Sequence, residues 1–452
     1  MEEKLQPRPN RAAPSWRAGF WSLIATQFQT AFNDNAVKFL VIYIIVAMNF
    51  PNQFRDRLIL VIGALFALPF IFFSMTGGYF ADRYSKRSVT IGTKLLELGV
   101  MAFTIAGLYL HNLPMECASV FLISMEAALF GPSKYGLLPE LLPDNRLSWG
   151  NGIIELGTFV ASISATMAAG IMAERYRGRE SIAGFLLLGF TCVGLLTSFG
   201  ISRVPAADPR RKFRWNPLGE LRSQMKIIHA DGVLFWSVMG NTYLWFLAAL
   251  LQFTIVVYGH DVLHIDDTRT SYLQAAVGIG IGLGSLAAGY LSRGKIEMGL
   301  IPIGALGMTI FGALLYFKQP AETLAGWLNV VAFHQGGSMA TKFAALIAAA
   351  VRLRIPDLSL LGFFGGFFAV PLNAMIQHRP RPEQKGGVIA VANLLSFVGI
   401  FIAAGAYYLF SDGLHQTPAG VFLDGAILTL VTTTVSTYLL RDSLLNFVRK
   451  PT

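Results

Sequence analysis

Inside the first long apolar run stand an acid and a base four residues apart, Asp34 and Lys38, among the polar side chains of Gln27, Thr30, Asn33 and Asn35. At 1.5 Å per residue, Asp34 lies about 21 Å along a helix from Phe20, close to mid-bilayer. An ionised Asp at that depth costs roughly 2.5–3.5 kcal/mol on insertion scales. The i,i+4 spacing sets Asp34 and Lys38 on one helix face, acid before base, the favoured order, with Gln27 and Thr30 on or beside it. An inert pair that only fixes helix packing is one reading. Ionisable groups within a membrane more often face a wet cavity and mark a pathway, so the stretch is expected to line a substrate cavity. The anticipated pairing of Lys38 with Asp34 keeps the acid ionised until a substrate headgroup exchanges with the pair.

The elements that position these groups must be membrane helices. Of 452 residues, 54% are hydrophobic and 14% charged, and the mean hydropathy is +0.54. A soluble domain carries about 25% charged residues. The fold class is therefore an all-α membrane protein with twelve candidate spans, at about 18–48, 57–80, 88–110, 116–138, 149–173, 182–201, 233–258, 271–292, 297–317, 358–377, 386–410 and 417–440. The formal net charge of +10 does not indicate nucleic acid, because the basic residues sit in short connections. They gather in the leader (Lys4, Arg8, Arg11, Arg17), after span two (Arg83, Lys86, Arg87) and between Arg203 and Lys226. That excess makes this side cytoplasmic, with both termini on it. Residues 1–17 are expected to be a cytoplasmic leader without a signal peptide, and 441–452 a cytoplasmic tail too short to hold a further enzyme domain. Cys117 and Cys192 fall in or at the ends of apolar runs, against a disulfide framework or a metal site, and no metal or cofactor is expected. No phosphate-binding loop and no nucleophile elbow appears, so the chain reads as a transporter rather than an enzyme.

The two halves repeat. Phe20-Trp21-Ser22 recurs as Phe235-Trp236-Ser237, Gly78-Tyr79 as Gly289-Tyr290, and Phe159-Val160 as Phe397-Val398, in the same order and orientation. The offset grows between spans nine and ten, locating an insertion at 319–356, whose two short apolar runs are expected to lie as surface helices on the outer side. The organisation is thus an N-terminal six-helix half at 18–202, a basic linker at 203–232 read as a solvated connector near anionic headgroups, and a C-terminal half at 233–440. Two parallel six-helix halves with a midplane site describe the major facilitator fold.

Three further stretches bear on function. Gly78-Tyr79-Phe80-Ala81-Asp82-Arg83-Tyr84-Ser85-Lys86-Arg87 resembles the major facilitator turn between spans two and three. The resemblance assigns Gly78, Asp82, Arg83, Lys86 and Arg87 to a cytoplasmic gate. The matching turn, Gly289-Tyr290-Leu291-Ser292-Arg293, lacks the acid, so the latch is expected to be asymmetric. Gly131-Pro132-Ser133-Lys134-Tyr135-Gly136 ends span four, and Asn151-Gly152-Ile153-Ile154-Glu155 opens span five. Lys134 either snorkels or meets an anionic headgroup. Glu126 and Glu155 both lie within spans, and at least one must be paired or protonated.

The runs Gly131-Pro132-Ser133-Lys134-Tyr135-Gly136 and Asn151-Gly152-Ile153-Ile154-Glu155, with Ala31-Phe32-Asn33-Asp34-Asn35-Ala36 and Gly365-Gly366-Phe367-Phe368-Ala369-Val370-Pro371-Leu372-Asn373-Ala374, resemble the bacterial lysophospholipid transporter family, a major facilitator branch. The resemblance implies movement of lysophospholipids such as lysophosphatidylethanolamine from the outer to the inner leaflet of the bacterial cytoplasmic membrane, where a partner acyltransferase reacylates them. It sets Asp34 on the family's acid and Lys134 on its span-four lysine. It also implies an arginine in span seven where this chain has Gln252. The substrate site expected from these readings comprises Asp34, Lys38, Asn33, Asn35, Gln27, Lys134, Tyr135, Glu155, Asn241, Gln252 and Asn373, with an apolar groove for the acyl chain among the 35 Phe. The partners are then the lipid substrate, membrane lipids and an acyltransferase, and the protein is expected to be a monomer. Two other functions fit the residues: a proton-coupled exporter of a small amphipathic solute or drug with Asp34 as proton carrier, and a non-transporting membrane partner that docks an acyltransferase through the basic linker.

Overall fold

The computed structural model describes residues 16–48, 50–213, 216–265, 267–317 and 354–449. The sequence insertion at 319–356 lies outside them except for its last three residues. All regular elements among the described residues are helical. They are α1 (Trp16–Ala47), α2 (Asn52–Arg83), α3 (Lys86–Tyr109), α4 (Leu113–Leu141), α5 (Leu147–Arg175), α6 (Ser181–Phe199), α7 (Pro217–Ala230), α8 (Gly232–Val257), α9 (Asp267–Leu291), α10 (Leu300–Phe317), α11 (Ile355–His378), α12 (Lys385–Tyr408) and α13 (Pro418–Arg449). Twelve are long and apolar enough to cross a membrane, all but α7, and they coincide with the twelve expected spans. The protein is a multi-pass membrane protein. Large apolar side chains such as Leu60, Phe72, Phe185 and Leu196 are exposed, as lipid requires.

Helix ends are set by local chemistry. Asn112 accepts the Met115 amide at the start of α4, and Asp231 accepts the amides of Val233 and Leu234 at the start of α8. Each side-chain oxygen satisfies amides that have no intrahelical partner. The basic linker is more than a solvated connector, because it contains α7. Asn216 caps that helix through the Gly219 amide, and Gln224 and Ile228, four residues apart, bury one face.

The chain divides into two compact units. Unit 1 comprises Met1–His229, Ser292–Ile296 and Ala374–Leu394; unit 2 comprises Ala230–Leu291, Glu297–Asn373 and Leu395–Thr452. Within unit 1, α2 packs on α4, α1 on α5 and α6, and α3 on α4 and α6. Val37, Leu40, Val41, Ile45, Met101, Val120 and Ile123 form one apolar core, and Phe20, Leu23, Phe130, Leu138 and Ile154 form another.

Unit 2 is built around Leu251, Ile255, Tyr258, Leu273, Met308, Leu361, Phe368 and Phe422. Its α9 and α11 meet along a seam of glycines spaced four apart on both helices. A Cβ added to Gly280 or Gly284 would strike the carbonyl oxygen of Ser359 or Phe363, and one added to Gly362 would strike that of Val277. Small residues at i,i+4 let membrane helices approach backbone to backbone. The repeat read in the sequence reappears locally: Phe20 and Trp21 on α1 meet edge-on with ring centroids 5.4 Å apart, and Phe235 and Trp236 on α8 do so at 5.5 Å.

Candidate substrate site

Asp34 is buried on α1, 8% exposed, and its Oδ1 receives no hydrogen bond. It stands in the electrostatic field of Lys94, Lys134, Glu97 and Glu126. The expected pairing with Lys38 is not formed. The Lys38 ammonium instead donates to Asn35 Oδ1 at 3.2 Å and sits over the rings of Phe39 and Phe66, 4.5 and 4.3 Å from their centroids. An aromatic face attracts a cation through its quadrupole, so this lysine needs no bonded carboxylate, although it still lies in the field of Asp34. Asn35 also donates to the Ala31 carbonyl at 2.8 Å.

Beside Asp34 on the α5 side, Gln27 donates to Thr158 at 3.1 Å and leaves its own Oε1 without a donor. Tyr135 donates to Glu155 Oε1 at 3.3 Å, and Lys134 lies over the Tyr135 ring at 4.3 Å. Lys134 is in the field of both Glu155 and Asp34. Unit 1 therefore offers both signs of charge with unused hydrogen-bonding capacity: the Asp34 carboxylate, the Lys134 ammonium and the Gln27 amide. The three come from α1 and α4, whose mutual packing fixes them.

Asn33 and Thr30 turn away from this group. Asn33 donates to Glu97 Oε1 at 2.9 Å, to Thr191 at 2.7 Å and to the Leu187 carbonyl at 3.2 Å. Thr30 accepts from Lys94 at 2.6 Å. One residue along a helix is a rotation of about 100°, so Asn33 and Asp34 serve different faces. The network Asn33 joins, built on Lys94 and Glu97 of α3, was not anticipated from the sequence. A lysine and a glutamate three apart in one apolar span were the signal for it.

The turn between α2 and α3 is a closed polar knot. Asp82 is fully buried and accepts the amides of Gly386 and Gly387, at 2.7 and 3.0 Å, in the first turn of α12. It also pairs with Arg211, which reaches on to Glu220 of α7. Arg83 donates to the Arg211 carbonyl, Lys86 pairs with Glu140, and Arg87 donates to the Phe199 carbonyl at 2.9 Å. Gly78 admits the close approach: a Cβ there would lie 2.6 Å from that of Ala390 and 2.8 Å from the Gly386 oxygen. The corresponding stretch Gly289-Tyr290-Leu291-Ser292-Arg293 has no acid at the place of Asp82, and just beyond it the Lys295 carbonyl accepts from Ser148 at 3.1 Å.

The remaining expected residues belong to unit 2. Asn241 is buried and donates to Ser396 at 3.0 Å, leaving its Oδ1 without a donor. Asn373 is half-buried on α11, and Gln252 is exposed on α8.

A family model of the Major Facilitator Superfamily matches residues 23–404. The chain is 29% identical over 428 residues to the lysophospholipid transporter LplT of Klebsiella pneumoniae subsp. pneumoniae, covering 93% of this chain and 95% of that one. It is 28% identical over 427 residues to LplT of Escherichia coli O1:K1, covering 92% and 95%. Among solved structures it resembles the E. coli fucose:proton symporter FucP, with a TM-score of 0.70, 12% identity and coverage of 94% and 99%. The human organic anion transporter MFSD10 matches with a TM-score of 0.67, 14% identity and coverage of 94% and 100%. At such low identity these two structures speak for the fold alone. With twelve apolar helices and a match that runs through both halves, the chain belongs to the Major Facilitator Superfamily and is a transporter, not an enzyme.

Proposed function

We infer that this protein moves lysophospholipids from the outer to the inner leaflet of a bacterial cytoplasmic membrane, with both termini on the cytoplasmic side. The observation that carries the reading is similarity to lysophospholipid transporters over more than nine-tenths of both chains. The chemistry of unit 1 agrees with such a substrate. A zwitterionic headgroup presents an ammonium and a phosphate. The free oxygen of Asp34 suits the first, and Lys134, resting on Tyr135, suits the second. Asn35, Gln27 and Glu155 complete the polar lining within unit 1, and Asn241, Gln252 and Asn373, which belong to unit 2, are further candidates for substrate contact. The single acyl chain needs only apolar surface. Reacylation on the inner leaflet falls to an acyltransferase partner, and the transporter itself works as a monomer.

The test is uptake of labelled lysophosphatidylethanolamine into spheroplasts with and without the protein. Faster uptake with the protein, competed by unlabelled lysophospholipid, is the expected result. Equal uptake with and without a well-inserted protein excludes the reading.

A further inference from the structure

The substrate chemistry leaves a second group of ionisable side chains unused. Lys94 and Glu97 of α3 and Glu126 of α4 are all 0% exposed. Their hydrogen bonds can be accounted for one by one. An ammonium has three hydrogens. Those of Lys94 go to Thr30 Oγ1 at 2.6 Å, Gln29 Oε1 at 3.3 Å and Glu97 Oε2. The other oxygen of Glu97 takes donors from Gln29 at 2.8 Å and Asn33 at 2.9 Å, and lies 3.1 Å from the Thr191 hydroxyl, whose single hydrogen it shares with the Leu187 carbonyl. Glu97 thus has hydrogen-bond donors on both of its oxygens.

Glu126 is in the opposite situation. Neither of its oxygens receives a hydrogen bond. Lys94 Nζ stands 3.5 Å from Oε1, but its three hydrogens are already committed. The Thr93 hydroxyl is within reach of Glu126 as well, but in this conformation it turns its single hydrogen to the Thr90 carbonyl at 3.0 Å. A buried carboxylate with no donor would rather become neutral than stay charged.

We propose that Glu126 is a proton-binding site: in this conformation it holds a proton as a carboxylic acid, beside the complete Lys94–Glu97 pair. Uptake is the addition of H⁺ from water to one oxygen of the carboxylate, and release is the reverse. A hard metal cation would need several oxygens turned onto it. Here those of Glu97 are spent, and the Lys94 ammonium stands next to the open ones. A proton needs one oxygen and no space.

The charged groups around the site set when the proton leaves. From α1 Asp34 faces it, from α3 Lys94 and Glu97, and from its own helix Lys134 lies beyond Asp34. Glu155 of α5 acts on Lys134. From Leu58 to Ala81, α2 has no ionisable side chain except Tyr79, and α6 presents only Thr191 to the cluster. Glu126 and Asp34 repel each other when both are charged. An ammonium brought to Asp34 cancels one of the two charges and makes loss of the Glu126 proton easier. This coupling rests on the lysophospholipid reading, whereas the site itself does not.

The experiment reads the proton directly. Infrared spectra of the purified protein in lipid nanodiscs should show a protonated-carboxyl C=O band near neutral pH. The band should be lost in Glu126→Gln and kept in Glu97→Gln. Absence of the band, its loss in Glu97→Gln but not in Glu126→Gln, or its disappearance when sodium is added to the wild type would overturn the site. If Glu126→Gln does not accumulate, Glu126→Asp keeps an acid with a different hydrogen-bonding geometry and should displace the band; an unmoved band overturns the assignment. In proteoliposomes, an imposed pH gradient should change wild-type lysophosphatidylethanolamine uptake and leave that of Glu126→Gln unaltered. An equal response of both overturns the coupling. Absence of wild-type uptake defeats the lysophospholipid reading, while the band still decides the site.

Discussion

Asn151 of α5 and Gln377 of α11 exchange two hydrogen bonds: Asn151 Nδ2 donates to Gln377 Oε1 at 2.9 Å, and Gln377 Nε2 donates to Asn151 Oδ1 at 2.7 Å. Both side chains are buried, and the Leu147 carbonyl takes a further hydrogen from Asn151 at 3.0 Å. Within unit 1 this pair joins the start of a first-half helix to the end of a second-half helix.

Gln377→Leu should lower the thermal unfolding midpoint in detergent, since orphaning a buried amide costs about 1–3 kcal/mol. Asn151→Leu/Gln377→Leu should recover part of that loss, because both unsatisfied groups are gone. Additive losses would mean that the two amides are not coupled.

Asp34→Asn should insert normally and lose at least about tenfold in lysophospholipid uptake, the factor that one interaction of about 1.4 kcal/mol carries. The amide keeps the shape but cannot hold an ammonium by charge. Wild-type uptake from a fully inserted Asp34→Asn protein would remove Asp34 from the substrate site.

Lys38 and Lys134 should separate. Both lysines lie in the field of Asp34, but Lys38 is also satisfied by Asn35 and two ring faces, whereas Lys134 rests on one ring and has no hydrogen-bond partner among the described residues. Lys134→Met should therefore impair uptake more than Lys38→Met, and Gln252→Arg should not be needed to restore the Lys38 variant. The reverse order of the two methionine variants would return Lys38 to the role of Asp34's partner.

Asp82→Ala removes the acceptor of two helix amides and the partner of Arg211 together. Breaking a buried pair from one side costs about 3–5 kcal/mol. Arg211→Ala should cost less, because Asp82 keeps both amides and Glu220 keeps its bond from Gln224 at 2.9 Å. Equal destabilisation, read from thermal unfolding of the two variants, would show that the acid and the linker arginine act as one unit.

The twelve spans were legible because each is a long run of apolar residues, and the halves because Phe-Trp-Ser and Gly-Tyr recur in order. Asp34, Glu126 and Glu155 stood out for a similar reason: a charge in such a run has few explanations. Their partners did not. Helical spacing places Lys38 beside Asp34, but it cannot weigh an ion pair against two aromatic faces supplied partly by α2. The network on Lys94 and Glu97 draws on α1, α3, α4 and α6, and spacing within one helix says nothing of the other three. Likewise, α7 escaped notice in the linker because the basic residues there drew a topological reading, although Asn216 and the Gln224–Ile228 stripe were helix signals.

The glycine seam between α9 and α11 has a mechanical consequence. Two helices that touch through main-chain atoms have no side chains to re-seat, so a sliding or tilting step between them would collide carbonyl with Cα within a fraction of an ångström. They should behave as a single rod. Spin labels on α9 and α11 would then report one fixed separation through every stage of the transport cycle, a ruler against which the excursions of other helix pairs can be calibrated.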